Sequence, residues 1–343
     1  MTLPSAFTRY REAIEAELKA LLMGQSFPLY RMMAYHMGWV DRNGEPPDHS
    51  DEAMGKRIRP SLCLLSCEAL GGNVEEVLPA AAAVELVHNF SLIHDDIQDG
   101  TPERHHRPTV WWVWGPAQAI NAGDGMHALA RLTLLRQSEK GMGPQKALDA
   151  VGILDRACLR LCEGQYLDLT YQERVDITSE AYFQMVEGKT GALMGCAAEL
   201  GAIMATDDER DIKAMARFGF KLGLAFQVRD DILDLWGRED TGKPLAGDIL
   251  NKKKSLPVIY ALQNATGADK HTLGDVYFKR VMEPGDVIRI IEVMDNLGAR
   301  ELSQEKADTL CQEAIQALDG AHLSAQGKDQ LAELARFLVT RDS

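Results

Sequence analysis

Residues 88–99 read HNFSLIHDDIQD, and residues 223–234 read GLAFQVRDDILD. Both segments run from an apolar stretch of helical periodicity into the pattern D-D-x-x-D. On an α-helix, residues i and i+4 lie on one face about one turn apart, so the first and last aspartates of each pattern are predicted to project together. The two resulting carboxylate claws are Asp95 with Asp99 (the first claw) and Asp230 with Asp234 (the second claw).

The same helical periodicity extends over most of the chain. It is clear in residues 77–93, 147–168 and 211–236, whereas runs of alternating β-branched residues are missing. Turn-forming residues separate the periodic segments, and none of these separators resembles an interdomain linker. The sequence predicts one all-α domain over residues 1–343, a bundle of about ten or more helices.

Composition limits the partners and the compartment. The 343 residues include 51 acidic and 37 basic side chains, and the formal net charge of -14 disfavours nucleic acid as a partner. The N-terminus lacks the features of a signal peptide, and the apolar stretches fall short of the ~20 residues that span a bilayer. Six cysteines form neither a C-x-x-C pair nor a Cys/His quartet, which predicts free thiols and a cytoplasmic location.

The carboxylate claws predict a metal site. Like charges at i and i+4 destabilise a helix by a few tenths of a kcal/mol, so a compensating cation is expected. Carboxylate oxygens suit Mg²⁺, which takes its remaining ligands from water and substrate phosphates. A single D-D-x-x-D is more typical of a solvated acidic helix end. Two copies, each after an apolar run, favour the metal site.

Basic residues near the claws are candidate phosphate ligands in this acidic protein, although each taken singly is more typical of a surface salt bridge. They are Lys56 and Arg59 in GKRIRP, Arg104 and Arg107 after the first claw, Lys189 in GKT, and Lys243 and Lys253 after the second claw. The GKT sequence lacks the preceding glycine of a P-loop, so nucleotide binding is not predicted.

Taken together, the motifs resemble those of the trans-prenyl diphosphate synthases, also called polyprenyl synthetases. In chain order they are G-K-x-x-R at 55–59, D-D-x-x-D followed by an arginine and R-P-T, G-Q-x-x-D at 164–168, K-T-x-x-L at 189–193, F-Q-x-x-D-D-x-x-D at 226–234, and G-K-P with a later K-x-S-L-P. The resemblance implies an isoprenoid synthase fold around a deep central cavity, a homodimer, and claws that face each other across the cavity mouth.

The resemblance also implies a reaction. Isopentenyl diphosphate and an allylic diphosphate would be the substrates of a Mg²⁺-dependent head-to-tail condensation, with three Mg²⁺ ions expected per active site. The allylic diphosphate ionises to a carbocation, the isopentenyl double bond attacks it, and a proton is lost. Charge on the leaving diphosphate is the main obstacle, so electrostatic and Lewis-acid catalysis are expected, without a protein nucleophile or base.

Site roles are carried over residue by residue from the family motifs. The implied metal-binding residues are Asp95, Asp96, Asp99, Asp230 and Asp234, and the implied catalytic residues are Asp95, Asp99, Asp230, Lys189 and Arg104. The allylic diphosphate is expected to bind Arg104, Lys189, Thr190, Gln227, Lys243 and Lys253, and isopentenyl diphosphate is expected to bind Lys56, Arg59, His88 and His105. His88 lies two helical turns before Asp95 on nearly the same face; its alternative is a hydrogen-bonded core histidine.

One position departs from the family, which usually has two adjacent arginines where this chain has Arg104 and His105. Histidine offers one ring edge and titrates near pH ~6.5, so binding of isopentenyl diphosphate is expected to be pH-sensitive. The alternative is that Arg107 takes the place of the missing arginine.

Product length is inferred from the residues before the first claw. Phe90 and Ser91, five and four residues before Asp95, resemble the cavity floor of enzymes that make a C20 product. Geranylgeranyl diphosphate is therefore the expected product, and farnesyl diphosphate is the alternative. The tryptophans of VWWVWG are predicted to be core or dimer contacts, and residues 37–54 an exposed loop without an assigned role.

Three other kinds of protein are possible on the residues alone. A class I terpene cyclase shares the first aspartate motif, but its second metal motif is usually of the N-S-E type, whereas this chain repeats D-D-x-x-D. A non-catalytic partner subunit is expected to lack some charged motifs, which are nearly all present here. A purely structural helical protein has no reason to place both claws beside basic clusters.

Overall fold

The computed structural model describes residues 4–47, 55–140, 142–237, 247–279 and 281–341. These residues form the predicted α-helical bundle, together with one short β-hairpin that the sequence did not predict. The helices are α1 (Ser5–Thr8), α2 (Arg11–Leu22), α3 (Pro28–His36), α4 (Ile58–Ala69), α5 (Val74–Gln98), α6 (Val110–Trp114), α7 (Pro116–Leu135), α8 (Pro144–Gln172), α9 (Ser179–Val186), α10 (Ala192–Ala205), α11 (Glu209–Trp236), α12 (Gly247–Leu250), α13 (Leu256–Asn264), α14 (Gly267–Tyr277), α15 (Pro284–Asn296), α16 (Ala299–Ala317) and α17 (Ala325–Thr340).

Helix α5 is central to the bundle. The Asn73 side chain caps its start by accepting a hydrogen bond from the Glu75 backbone N–H, and the alanine-rich segment 80–83 is fully buried. Among the described residues, α5 is long and apolar enough to cross a membrane by composition, but 72% of its apolar window is buried inside the protein. That burial is typical of a core helix. The first claw lies at the C-terminal end of α5, where the helix leaves the core.

Buried apolar side chains form two clusters. The larger cluster fills the space between α4, α5, α7, α8, α10, α11 and α16. The smaller cluster lies between the end of α11 and helices α12 to α15. Helix α13 contributes to both clusters, through Leu256 and Ile259 on one side and Val258 and Ala261 on the other. A single domain over residues 1–343 stays a prediction.

The basic segment after the first claw folds as a β-hairpin. Strands β1 (Glu103–Arg104) and β2 (Arg107–Pro108) pair antiparallel, and Arg104 lies opposite Arg107. His105 and His106 form the two-residue turn, with φ of 50° and 57°. Both central residues of such a turn need positive φ, which is usually supplied by Asn-Gly. Histidine is among the non-glycine residues that tolerate this region best.

The sequence predicts an exposed loop over residues 37–54, but part of this segment is buried. Trp39 and Val40 are buried, and the Trp39 Nε1–H donates to Glu15 at 2.8 Å. The N-terminal part of the segment therefore packs its apolar side chains against the bundle. Residues 48–54 lie outside the described residues.

Candidate active site

The first claw lies beside two lysines and a third aspartate. Lys253 Nζ donates to Asp99 Oδ2 at 2.8 Å, and Lys189 Nζ donates to Asp168 Oδ2 at 2.6 Å. Each lysine also reaches a second carboxylate at 3.7 Å, Asp95 for Lys189 and Asp168 for Lys253. Residues from α5, α8, the turn before α10 and the segment before α13 thus form one charge cluster, which we call the claw–lysine cluster.

Two glycines allow this cluster to form. A Cβ on Gly164 of α8 would lie 2.1 Å from the Lys189 backbone nitrogen, and one on Gly188 would lie 2.6 Å from the Arg160 carbonyl oxygen. The backbone from Glu187 to Gly191 forms a wide turn of π-type at this contact. Such turns occur frequently at functional sites. The close approach places Lys189 next to Asp168, which follows Gly164 by about one helical turn.

The charges in the claw–lysine cluster stabilise one another. Burial alone would raise the pKa of Asp168, but Lys189 and Lys253 outweigh it and lower that pKa. Burial alone would lower the pKa of Lys189, but Asp95 and Asp168 outweigh it and raise that pKa. The pKa of Lys253 is raised in the same way, mainly by Asp168, Asp248 and Asp99 acting against burial. Both lysines are therefore ammonium ions beside carboxylates at neutral pH.

The second claw has different partners. Arg341, from the C-terminal end of the described chain, pairs with Asp230 and lies over the Phe226 ring at 4.3 Å. Asp234 Oδ2 accepts a hydrogen bond from the Asp248 backbone N–H at 3.2 Å. Lys56 and Arg59 each interact electrostatically with Asp230. The G-K-x-x-R motif therefore lies on the side of the second claw.

The middle aspartate of each motif points inward. Asp96 is 1% exposed; its Oδ1 accepts a hydrogen bond from Arg104 Nε at 2.9 Å and forms an ion pair with Arg104 Nη2 at 2.8 Å. Asp231 is 4% exposed and accepts from the Tyr182 hydroxyl at 2.7 Å and the Leu256 backbone N–H at 2.9 Å. Residue i+1 of a helix is rotated about 100° from residue i, which accounts for the common inward direction.

Thr190 and Gln227, both predicted to bind the allylic diphosphate, are in contact. The Thr190 hydroxyl donates to Gln227 Oε1 at 2.7 Å, and Gln227 Nε2 donates to Asp231 Oδ1 at 3.0 Å. Lys243, predicted to bind the same substrate, lies outside the described residues. The Tyr182 hydroxyl interacts electrostatically with both Asp168 and Asp230, so this network lies between the claw–lysine cluster and the second claw.

A cavity of about 80 Å³ lies between α3, α5 and the hairpin. Its wall includes two of the predicted isopentenyl diphosphate residues, His88 and His105, together with Arg104 and His36. His88 Nε2 lies 3.2 Å from Arg59 Nη1, so a third predicted residue contacts the His88 ring. Burial lowers the pKa of His36 to about 3, with Arg104 adding to the shift, and burial and Arg59 lower the pKa of His88 well below its usual range. Both imidazoles are neutral.

The two arginines that flank these candidates have structural partners. Arg107 donates from Nη1 to the Tyr35 carbonyl at 3.1 Å and from Nη2 to the Val40 carbonyl at 2.8 Å. Arg57 is buried with φ of 50° and pairs with Glu15 at 2.7 Å and Glu85 at 2.8 Å. These contacts tie the hairpin to the end of α3 and the segment after it, and the G-K-x-x-R motif to α2 and α5.

The predicted chain-length residues lie on α5. Phe90 is buried and packs edge-to-face against His94 and His127, at ring centroid distances of 5.6 and 4.8 Å. The Ser91 hydroxyl donates to the His88 carbonyl at 2.7 Å. Phe90 therefore points toward α7 while Ser91 stays within its own helix.

The carboxylates of the first claw fit a hard cation. Asp99 Oδ1 is buried and has no hydrogen-bond partner, so one carboxylate oxygen is free to bind a metal ion. Away from the claws, the described residues include one further group of potential ligands, Asp208, Asp211 and His322. In that group the His322 ring and backbone nitrogens both hydrogen-bond to Asp211. The group therefore has a structural role, because it links the start of α11 to the segment before α17.

The sequence assigns no role to several residues of the site. Asp168 is one of them, although its spacing from Gly164 in the G-Q-x-x-D motif is a signal that could have identified it. Arg341, His36 and Tyr182 carry no sequence signal, since each reaches the site only through tertiary packing.

Comparison with known proteins identifies the family of this chain. The sequence profile of the polyprenyl synthetase family matches residues 43–294. The chain belongs to the polyprenyl synthetase family. It is 39% identical over 295 residues to a geranylgeranyl diphosphate synthase of Mycobacterium tuberculosis, covering 86% of this chain and 82% of that protein. It is 34% identical over 316 residues to a (2E,6E)-farnesyl diphosphate synthase of the same species, covering 91% and 86%.

A solved structure shows the same fold. The crystal structure of a polyprenyl synthetase from Streptomyces coelicolor A3(2) matches with a TM-score of 0.90 at 37% identity, over 98% of this chain and 99% of that one. The predictions of an all-α isoprenoid synthase fold and of membership in this family of prenyltransferases are thereby confirmed.

Proposed function

We propose that this polyprenyl synthetase condenses isopentenyl diphosphate with an allylic diphosphate, head to tail, and makes geranylgeranyl diphosphate. The claw–lysine cluster carries the proposal, because it gathers three carboxylates and two ammonium groups from distant parts of the chain at one point. An anionic leaving group needs cations, and the carboxylates hold the cations in place.

Different residues of the chain bind the two diphosphates. Lys189 and Lys253 hold the allylic diphosphate at the first claw and stabilise the charge that develops as its carbon–oxygen bond breaks. The cavity beside α3 holds the diphosphate of isopentenyl diphosphate through Arg59, His88 and His105. The released diphosphate takes the proton, so no protein base is assigned.

Magnesium completes the site in this proposal. Asp95, Asp99, Asp230 and Asp234 would hold Mg²⁺, with three ions expected per active site, and the bound metal supplies Lewis-acid stabilisation of the leaving diphosphate. Asp96 and Asp231 orient neighbouring residues instead, since their oxygens already accept hydrogen bonds from Arg104, Gln227 and Tyr182. Titration of the apoprotein with Mg²⁺ and a non-hydrolysable diphosphate, followed by metal analysis, tests the stoichiometry.

Product identification tests the reaction. The pure protein is mixed with Mg²⁺, isopentenyl diphosphate and separate C5, C10 and C15 allylic primers, and the products are separated by chain length. A C20 product from every primer is expected. A C15 end product would assign the chain to farnesyl diphosphate synthesis, which the farnesyl-synthase relative keeps as the second candidate. Absence of any condensation would refute the proposal and favour a non-catalytic subunit.

A homodimer is part of the proposal. Large apolar side chains are exposed on α7 and α8, and three of them, Leu148, Leu159 and Tyr166, share one face of α8. Trp112 of α6 is also exposed. Such a patch marks a protein–protein contact, and a two-fold symmetric pair covers it with a copy of itself.

Sedimentation of paired variants tests the dimer. Leu159→Lys is expected to give monomers, because it places a charge in the proposed interface. Ile288→Lys is the matched control, since Ile288 on α15 is 60% exposed and Leu159 is 62% exposed. A dimer that survives the Leu159 change would place the interface elsewhere.

The six free cysteines agree with the cytoplasmic location that we also propose.

A further inference from the structure

Tyr182, a residue that the proposed mechanism does not use, donates a hydrogen bond to the second aspartate of the second motif. Tyr182 lies on α9 and is buried, and its hydroxyl lies 2.7 Å from Asp231 Oδ2. The same oxygen accepts the Leu256 backbone N–H at 2.9 Å, and Asp231 Oδ1 accepts Gln227 Nε2 at 3.0 Å. Donors from α9, α11 and α13 therefore converge on one buried carboxylate.

One branch of this network reaches the segment that carries Lys189. Both Asp231 oxygens act as acceptors, so the Gln227 amide turns its NH₂ group toward Asp231 and its oxygen away. That oxygen accepts the Thr190 hydroxyl at 2.7 Å. Because Thr190 follows Lys189 directly, the orientation of the Gln227 amide helps to fix the backbone at Lys189.

A second branch reaches the segment that carries Lys253. The first residue of α13, Leu256, has a backbone N–H without a partner inside its own helix. The Ser255 side chain at the N-cap makes no capping hydrogen bond, and Asp231 supplies the acceptor instead. Since Lys253 lies two residues before Ser255, the contact between Asp231 and Leu256 fixes the end of that segment.

Tyr182 itself lies on the helix that leads to Lys189. Helix α9 ends at Val186, and the π-type turn Glu187–Gly191 begins at the next residue. The hydrogen bond from Tyr182 to Asp231 therefore fixes α9 against α11 about two helical turns before Lys189. Loss of the hydroxyl would remove the only one of the three Asp231 donors that α9 provides.

We propose that Tyr182 is a positioning residue for the allylic diphosphate, which acts through Asp231 to hold the segments that carry Lys189 and Lys253 in one relative position. The inference rests on the proposed function, because these two lysines are the ones assigned to the allylic diphosphate. The Tyr182 hydroxyl acts on the lysines only through Asp231. The residues assigned to isopentenyl diphosphate lie outside this network.

Steady-state kinetics of Tyr182→Phe test the inference, since this change removes only the hydroxyl. The kcat/KM for the allylic diphosphate is expected to fall about 10-fold, the factor that one hydrogen bond to a charged group commonly contributes. The KM for isopentenyl diphosphate is expected to stay unchanged. Binding of geranyl thiolodiphosphate, an allylic analogue that does not ionise, is measured by calorimetry with Mg²⁺ and is expected to weaken by a similar factor.

Two comparisons show whether the effect runs through Asp231. Tyr277→Phe is the matched control, because Tyr277 is also buried but its hydroxyl has no hydrogen-bond partner in the described part of the chain. That change is expected to leave the kinetics and the binding unchanged. Asp231→Asn and the double variant Tyr182→Phe/Asp231→Asn are expected to give equal allylic kcat/KM values, because residues that act through one group are not additive.

A purely structural role of Tyr182 gives a different pattern. The thermal unfolding midpoint is measured for every variant, and the kinetics are recorded at a temperature at which all variants are folded. A lower midpoint with unchanged allylic kcat/KM and unchanged analogue binding overturns the inference. An equal rise in the KM values of both substrates shows a general loosening of the site and overturns it as well, and additive effects in the double variant overturn the route through Asp231.

Failure of the proposed function is distinguishable from failure of the inference. If the wild type binds geranyl thiolodiphosphate but forms no condensation product, the proposed function fails, and the ratio of the dissociation constants of Tyr182→Phe and the wild type still decides the inference. If the wild type does not bind the analogue, both fail.

Discussion

Asp96 and Asp231, the second aspartates of the two D-D-x-x-D motifs, both point into the protein, with 1% and 4% of their surface exposed. Their neighbours Asp95, Asp99, Asp230 and Asp234 are all partly exposed. Each motif thus divides its carboxylates in the same way, with the i and i+4 positions available to a ligand and the i+1 position used internally.

The outward-facing carboxylates are expected to be required for turnover. Asp95→Asn or Asp230→Asn keeps the shape of the side chain but removes a charged oxygen, and loss of about 3 kcal/mol of transition-state stabilisation lowers kcat by about 10²-fold. Asp275→Asn, at an exposed position of α14, is the matched control with unchanged kcat. Steady-state kinetics at saturating Mg²⁺ measure the effect. Near-normal kcat in both claw variants would contradict the proposed mechanism.

The hairpin turn predicts a pH-dependent KM. Imidazole loses its charge above about pH 6.5, so the KM for isopentenyl diphosphate is expected to climb between about pH 6.5 and 8.5, while the allylic KM climbs less. His105→Arg is expected to flatten the curve and lower the isopentenyl KM. The contacts of Arg107 with the Tyr35 and Val40 carbonyls support His105 as the phosphate-facing residue.

The same experiment also tests whether Arg107, rather than His105, binds the phosphate. If His105→Arg and the wild type give coincident pH curves while Arg107→Ala raises the isopentenyl KM, the phosphate contact belongs to Arg107. Thermal unfolding of Arg107→Ala is measured alongside, because that variant also loses its contacts with the segment after α3.

Two partly buried, neutral histidines make stability depend on pH. In the unfolded chain they titrate near pH ~6.5, whereas the folded pKa of His36 is lowered to about 3 and that of His88 is also well below its usual range. The unfolded state therefore binds more protons below about pH 6.5, and the free energy of unfolding falls as pH falls, by up to about 1.4 kcal/mol per pH unit for each group. Above that pH their contribution is constant.

Urea unfolding at about pH 5 and pH 7.5 measures this effect. His36→Gln is expected to show a smaller loss of stability between the two values than the wild type. His271→Gln, at an exposed position, is expected to match the wild type. Equal losses in all three proteins would show that His36 is not kept neutral by the fold.

The buried pairs of Arg57 predict a large stability effect. Arg57→Met leaves Glu15 and Glu85 without their cation, and removal of one partner from a buried ion pair costs about 3–5 kcal/mol. Lys213→Met breaks the exposed pair with Glu209 and is expected to cost less than about 0.5 kcal/mol. Denaturant titration of both variants measures the difference, and similar costs for the two would show that burial does not matter here.

The sequence predicted the fold class and much of the site for local reasons. Helical periodicity is a property of neighbouring residues, so α5, α8 and α11 were visible from their apolar spacing. The claws follow from the same geometry, because i and i+4 share a helix face. The segment around Trp39 and Val40 was assigned wrongly as wholly exposed, since its burial depends on a pocket formed by other elements.

The residues that share a helix face and the charges that are present can be read from the sequence, because these depend only on spacing and residue type. The contacts of Lys253 with Asp99, of Arg341 with Asp230 and of His127 with Phe90 arise instead from tertiary packing. Contacts between distant segments depend on how helices pack. That packing depends on close approaches such as Gly164 against Lys189, whose effect no local pattern of residues reveals.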